Sequence, residues 1–327
     1  MTQASIITIG DELLIGQVID TNSAWMAQEL NKAGIRVMRR LAVADDWDEI
    51  WAALDEEQKY TDIILITGGL GPTADDITKP LLCKYFGGKM IVHEPTVKNV
   101  MDIFSKLNRP IIERNLKQAE VPNVCTAILN KRGTAPGMVF NKEGKVFVSM
   151  PGVPHEMKGL MTDDVIPLLL QRFKFPAIIH KTLLTAGVGE SFLAELIKDF
   201  EEALPKHIKL AYLPNYGLVR LRLSAIGFNE AEMASEINTL FDNLKQQVKA
   251  YLVTDKDEPM QEVVGRLLIT NGKTMCTAES CTGGYIAHLL TSIIGSSKFY
   301  DGSVVSYSYG AKEDLLQVDK TTLATKG

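Results

Sequence analysis

Five consecutive apolar or β-branched residues, Ile63 to Thr67, form a run without polar interruption that reads as a strand buried on both faces. The run stops at Gly68-Gly69-Leu70-Gly71-Pro72. The next element is predicted as a helix from about Asp76 to Phe86, with carboxylates at its start and Gly87-Gly88 at its end. Upstream, Ser5 to Ile9 is a short apolar strand. Asp20-Thr21-Asn22-Ser23 caps a helix that shows Met26, Ala27, Leu30 and Ala33 on one face and stops at Gly34. Ile35 to Ala44 alternates as a second strand, and Asp45-Asp46 precede a helix from Trp47 to about Lys59. The order β-α-β-α-β-α with short connections predicts an α/β fold with a doubly wound, mostly parallel sheet, in which ligands bind beyond the strands' carboxyl ends.

The pattern then changes. Helical spacing runs from Pro95 to Leu107, Asn130 to Gly137 is a turn-rich loop, and Val146 to Met150 is a further strand leading into Pro151-Gly152-Val153-Pro154-His155-Glu156. A boundary is expected at Phe173 to Ile179. Beyond it, strands at 181–186, 209–212 and 218–226 with helices at 192–200 and 230–249 make a small βαββα unit of α+β type. The charged stretch Thr254 to Pro259 reads as a linker. A helix from Met260 to Asn271, a strand from Lys273 to Thr277 and the loop Ala278 to Gly284 follow.

Composition narrows the classes. The 327 residues suffice for two or three cores, and a net charge of -5 argues against a general nucleic-acid binder. No apolar run approaches the roughly 20 residues of a membrane helix. The start MTQASIITIGDEL enters a strand with no basic leader or cleavage site, so a cytoplasmic location is expected. Cys83, Cys125, Cys276 and Cys281 lack CxxC spacing and a histidine cluster, which favours reduced thiols over zinc or disulfides.

The candidate chemistry begins at the glycine-rich corner. A strand, a Gly-rich turn carrying Gly68, Gly69, Gly71 and Thr73, and a helix start bring amides and a positive dipole end together, which suits an anion. Asp75 and Asp76 lie in the same corner, and two carboxylates beside a phosphate require a divalent cation between them, so the corner reads as a Mg²⁺-phosphate site. Glu12 and Asp45 also fall at strand ends. Each acid is either a solvated loop carboxylate or, if they converge, a cation ligand. Glu156 is either a helix-start acid or a metal or substrate ligand, and Arg109, Arg114, Asn115 and Lys117 either face phosphate or coat a helix. In the last segment Ser280 is either a helix cap or a nucleophile with Lys312 as its base, and Cys281 is a rival nucleophile or a small packing group.

The stretches GDELLIGQVIDTN, TGGLGPTADDITK, ERNLKQAEVP, NKRGTAPG and PGVPHEM, in this order and spacing, resemble the N-terminal domain of the competence/damage-inducible protein CinA family, itself similar to molybdopterin-binding domains. Residues 178–252 resemble that family's KH-like middle domain, and AESCTGG with GSSKFYDGSVVSYSYGAK resembles its C-terminal nicotinamide-nucleotide amidohydrolase domain. The resemblance implies a Rossmann-like hydrolase domain over residues 1–172, the KH-like domain, and a partial deamidase domain over residues 257–327. It implies Mg²⁺-dependent hydrolysis of ADP-ribose or a related nucleotide to AMP and ribose 5-phosphate, with Asp76 and Asp45 in the chemistry; the position at strand ends adds Asp75 and Glu12 as metal ligands, and Asn22 is a candidate substrate contact. It also implies deamidation of nicotinamide mononucleotide, hence pyridine-nucleotide recycling, with Ser280 as nucleophile, Lys312 as base and Tyr307 and Ser297 assisting. Alternatives on the same corner are a molybdopterin adenylyl-transfer reaction and a pterin- or nucleotide-binding regulatory role. The loop Gly187-Val188-Gly189-Glu190-Ser191 carries an acid where nucleic-acid clamping needs basic residues, so a spacer or dimerisation role in a homodimer is expected instead. The family continues beyond the position of Gly327, so the last segment is expected to be poorly covered at Leu289, Ile293, Leu315 and Leu316, with little deamidase activity.

Overall fold

The computed structural model describes residues 2–73 and 76–326, which divide into two compact units, residues 1–178 with 226–230 and residues 179–225 with 231–327. The first unit contains β1 (Gln3–Ile9), β2 (Arg36–Val43), β3 (Ile63–Thr67), β4 (Met90–Val92), β5 (Glu120–Pro122), β6 (Thr126–Ile128), β7 (Gly137–Lys142) and β8 (Lys145–Met150). Six of these form one sheet in the order β2-β1-β3-β8-β7-β6. β1 pairs parallel to β2 and β3, and β3 parallel to β8, while β7 and β6 close the edge antiparallel.

The uninterrupted apolar run of β3 follows from this order. With neighbours on both edges and helices on both faces, Ile64 and Ile66 pack into one core with Ile50, Leu54, Leu81, Phe140 and Phe147, and Ile63 and Leu65 into the other with Met26, Leu30, Val148 and Met157. Helix α1 (Asp11–Leu14) is one turn; α2 (Thr21–Lys32) and α3 (Trp47–Tyr60) cover opposite faces. As expected, Asp20 caps α2 through the Ser23 amide at 2.9 Å; Asp46, placed just before α3 by the sequence, caps it through the amides of Asp48 and Glu49. The chain leaves β1 for β2 on one side and returns to β3 on the other. That reversal opens a crevice at the carboxyl ends of β1 and β3.

One predicted boundary is corrected. Helix α4 (Thr78–Tyr85) begins two residues after Asp76 rather than at it, because the Asp76 carboxylate turns back to the loop before it and caps no helical amide.

In the second unit, β9 (Ala177–Ala186), β10 (Ile208–Asn215), β11 (Leu218–Gly227) and β12 (Leu252–Thr254) form a sheet in the order β10-β11-β9-β12. The fourth strand corrects the βαββα expectation: β12 pairs antiparallel with β9, where the sequence read the start of a linker. The loop before the helix Glu190–Leu196 keeps Glu190 in its first turn. Residues 181–251 are therefore expected to bind RNA or DNA no more than weakly, and sub-micromolar binding that persists at physiological salt would contradict this. Further on, β13 (Met275–Glu279) and β14 (Tyr300–Val305) pair in parallel around the helix Tyr285–Thr291. No helix among the described residues is long and apolar enough to cross a membrane.

Candidate functional site

The crevice at the sheet's carboxyl edge holds a cavity of about 420 Å³. Its walls come from the ends of four parallel strands: Ile9 and Gly10 after β1, Asp45 after β2, Gly68 to Pro72 after β3, and Pro151 to Val153 after β8. Backbone and side-chain bonds hold these ends together. Gly10 N–H donates to Val43 C=O, Gly68 N–H to Met150 C=O, and the Thr67 hydroxyl to Pro151 C=O at 2.8 Å. Glycine at position 68 is required twice over, since its φ is +114° and a Cβ there would lie 2.2 Å from the Ile9 carbonyl oxygen.

Sequence-predicted residues do meet here. Glu12, Asp45, Asp76, Gly68, Gly69 and Gly71 line the one cavity, joined by Glu156, and no lysine or arginine among the described residues shares the wall. Asp45 and Asp11 form a reciprocal latch, each backbone N–H donating to the other's carboxylate at 3.2 Å. Asp75 lies outside the described residues. Thr73 lines an adjoining lobe, and Asn22 lies beside Glu12 in a neighbouring pocket of about 140 Å³. There its Nδ2 donates to Gly152 C=O at 2.7 Å, leaving Oδ1 buried without a donor among the described residues.

The glycine-rich loop does not hold its amides open for a ligand in the way the sequence suggested. Gly71 N–H donates to Asp76 Oδ1 at 2.7 Å, Thr73 N–H to Oδ2 at 2.8 Å, and the Thr73 hydroxyl to the same oxygen. The anion seated on the loop is the protein's own carboxylate. Three donors on a group with about four acceptor sites leave Asp76 room for one further bond. A metal must be judged against that. Among the described residues no three of His, Cys, Asp or Glu converge as a ready ligand set. The donor chemistry nevertheless fits Mg²⁺, which keeps most of its waters and takes one or two carboxylates together with substrate phosphates. Glu12 and Asp45 would supply those carboxylates, with Asp76 adding one contact.

Glu156 accepts from Asn130 Nδ2 at 2.6 Å and packs against Gly133. Burial pushes its carboxyl above the ordinary glutamate value, against the opposing pull of Asn130 and His155.

Two residues that sequence reasoning missed organise the adjoining lobe, about 700 Å³ in volume. Gln118, buried, donates from Nε2 to Leu70 C=O at 3.2 Å and accepts from the Thr134 hydroxyl, tying together three loops. Lys79, 7% exposed, donates from Nζ to Gln118 C=O at 2.9 Å. A signal for Lys79 was present: it stands in the first turn of α4, where the helix dipole disfavours a cation. Burial lowers its ammonium to about 8, while Glu120 and Asp76 pull the other way. A folded value below the unfolded one means the burial penalty is complete below pH 8 and relieved as pH rises from 8 towards the ordinary lysine value. Lys79→Met is therefore expected to stabilise the fold at pH 7 by roughly 1–2 kcal/mol, allowing for the lost hydrogen bond, and to remove a rise in stability between pH 8 and 10. Denaturant titrations at pH 7 and pH 9.5 check this. A destabilised variant at pH 7 would contradict it.

In the last segment, parallel pairing of Glu279 with Val305 puts Ser280 and Tyr307 just beyond the same sheet edge. No hydrogen bond joins Ser280 to Tyr307 or Lys312 among the described residues. Lys312 Nζ sits 5.3 Å from the centroid of the Tyr309 ring, while Ser297 and Tyr307 are exposed. The amides of Ile286 and Ala287, which a helix start would offer to an oxyanion, donate instead to Glu279 at 3.0 and 2.8 Å. Burial pushes the Glu279 carboxyl up, but these donors, with Thr282 and Ser303, outweigh it and hold it below the ordinary glutamate value.

Three family profiles match the chain: a probable molybdopterin binding domain over residues 5–171, the damage-inducible protein CinA KH domain over 180–254, and the CinA C-terminal domain over 257–327. A CinA-like protein of Flavobacterium psychrophilum is 48% identical over 320 residues, covering 97% of this chain and 77% of that one. A CinA-like protein of Cytophaga hutchinsonii is 45% identical, covering 99% and 78%. Among solved structures, the protein CinA of unknown function from Thermoplasma acidophilum is similar at 34% identity and a TM-score of 0.47, over 51% of this chain and 98% of that one.

Proposed function

The chain belongs to the CinA-like protein family, and from that premise and the geometry of the crevice we propose that its first unit hydrolyses the pyrophosphate bond of ADP-ribose or a related nucleotide to AMP and ribose 5-phosphate. The observation that carries this reading is the set of four carboxylates, Glu12, Asp45, Asp76 and Glu156, on one wall at the topological switch point. A divalent cation bound through one or two of these carboxylates together with the substrate's phosphates would polarise a phosphoryl oxygen and lower the pKa of a bound water. The chain's own residues do the rest. Asp76 fixes the glycine-rich loop as one wall, Gln118 holds that loop against Thr134, and Glu156, raised towards neutrality, is the group suited to take a proton from water.

A base of that kind sets the sign of the pH dependence. Activity requires Glu156 ionised, so kcat/KM should fall as pH drops through a value above the ordinary glutamate range, and Glu156→Gln should lower kcat by about 10²-fold and remove that acidic limb. A variant that keeps both rate and limb would take the proton-accepting role away from Glu156.

The family match to a probable molybdopterin binding domain favours one alternative, a pterin nucleotide as ligand. Pterin fluorescence in the purified chain, with no turnover of ADP-ribose, would select it.

For the last segment we propose slow deamidation of nicotinamide mononucleotide by this 327-residue chain. A neutral lysine base requires burial, whereas Tyr307 and Ser297 stand in solvent and Glu279 fills the helix start behind Ser280. Strong turnover that Ser280→Ala abolishes would overturn this.

A further inference from the structure

We propose that Lys79 is the phosphate-binding cation of the crevice, seating a phosphomonoester group of the ligand in the lobe between the glycine-rich loop and Arg114. The proposal rests on reading the crevice as a nucleotide site, not on the hydrolysis. The two lobes meet at Gly71, Pro72, Asp76 and Gln118 but differ in charge: among the described residues one wall carries four acids and no cation, while the other carries Lys79, Arg114 and Lys117 beside Glu113, Glu120 and the shared Asp76. Lys117 is engaged by Glu113 at 3.2 Å, which leaves Lys79 in the floor and Arg114 on the rim to receive an anion.

Lys79 is an expensive residue for its place. Its ammonium is buried, makes one hydrogen bond to a neutral carbonyl and forms no ion pair among the described residues. It also lies in a helical first turn, on the unfavourable end of the dipole. A counter-charge serving only the fold would sit against a carboxylate, yet Glu120 and Asp76 act on it only through space. With one of three donors used by protein, the remaining two match the acceptor oxygens of a phosphate, for which a compact ammonium is an effective point charge. Asp76 then marks the divide, with the phosphate on the Lys79 side and the cation on the acid side. This placement resolves the repulsion between phosphate and carboxylates that the sequence alone posed.

The test uses AMP and ribose 5-phosphate, which contain no pyrophosphate bond, titrated calorimetrically into the full chain with Mg²⁺ present. Lys79→Met is expected to stay folded and to weaken at least one of the two by roughly tenfold or more, the scale of a lost charge-assisted hydrogen bond, and Arg114→Ala to weaken the same ligand less. Unchanged affinity for both ligands in Lys79→Met would overturn the proposal. In the wild-type chain the ligand should also shift the NMR signals of the Lys79 side chain, and signals that stay in place at saturation would overturn it even if the variant failed to fold. Failure of the hydrolase reading looks different: ADP-ribose would survive while Lys79-dependent binding of the monophosphates remained.

Discussion

Asp76→Asn is expected to lower kcat for ADP-ribose hydrolysis by at least ~10²-fold, and chelation of divalent cations to abolish it. Two effects act together. The substitution removes a charge from the acid wall, and it turns an amide NH₂ towards donors that need an acceptor. Both Asp76 oxygens receive N–H groups, from Gly71 and Thr73, and an asparagine can satisfy one of them at most. The loop should loosen while the sheet, whose cores do not include position 76, stays folded. Hydrogen exchange at the Gly71 and Thr73 amides separates the contributions: it should accelerate in Asp76→Asn and stay slow in Asp45→Asn, although both variants lose activity. Full activity in Asp76→Asn would remove this residue from the mechanism.

Gly68→Ala is the second large effect. The added methyl would lie 2.2 Å from the Ile9 carbonyl oxygen, in a backbone conformation of φ +114° that L-residues rarely adopt. Neither β1 nor β3 can retreat, because each pairs on both sides within the sheet. We expect a loss of at least ~3 kcal/mol in denaturant unfolding and of most activity. Gly144→Ala separates strain from collision. Its φ of +80° is also left-handed, but nothing lies within 4 Å of the new atom, so it should cost only about 1 kcal/mol and leave activity intact. Equal costs for the two variants would contradict the close approach of β1 and β3.

Much of this was legible in the chain because its signals are local. The apolar run 63–67, the Asp20 cap, and acids following strands each follow from a few neighbouring residues, and strand order then gathers the acids on one edge. What stayed hidden depends on contacts distant in sequence. Gln118 looks unremarkable beside Lys117 and Ala119, and its role exists only through Leu70, Thr134 and Lys79. Asp76 was legible as a carboxylate in the corner but not as the anchor of the loop, since capping a helix and capping a turn share the same residue types. In the last segment, the strand runs two residues further than its apolar pattern suggests, and so delivers Glu279 to the helix start where a ligand was expected.

The most direct test of the central claim is to incubate the full chain with ADP-ribose and Mg²⁺ in ¹⁸O-water and identify the products by mass spectrometry. Cleavage within the pyrophosphate predicts AMP and ribose 5-phosphate in equal amounts, the label on the phosphate of one of them, and no product in Asp45→Asn or under chelation. Intact ADP-ribose, or release of ADP and ribose by cleavage of the phosphoester to the terminal ribose, would contradict it.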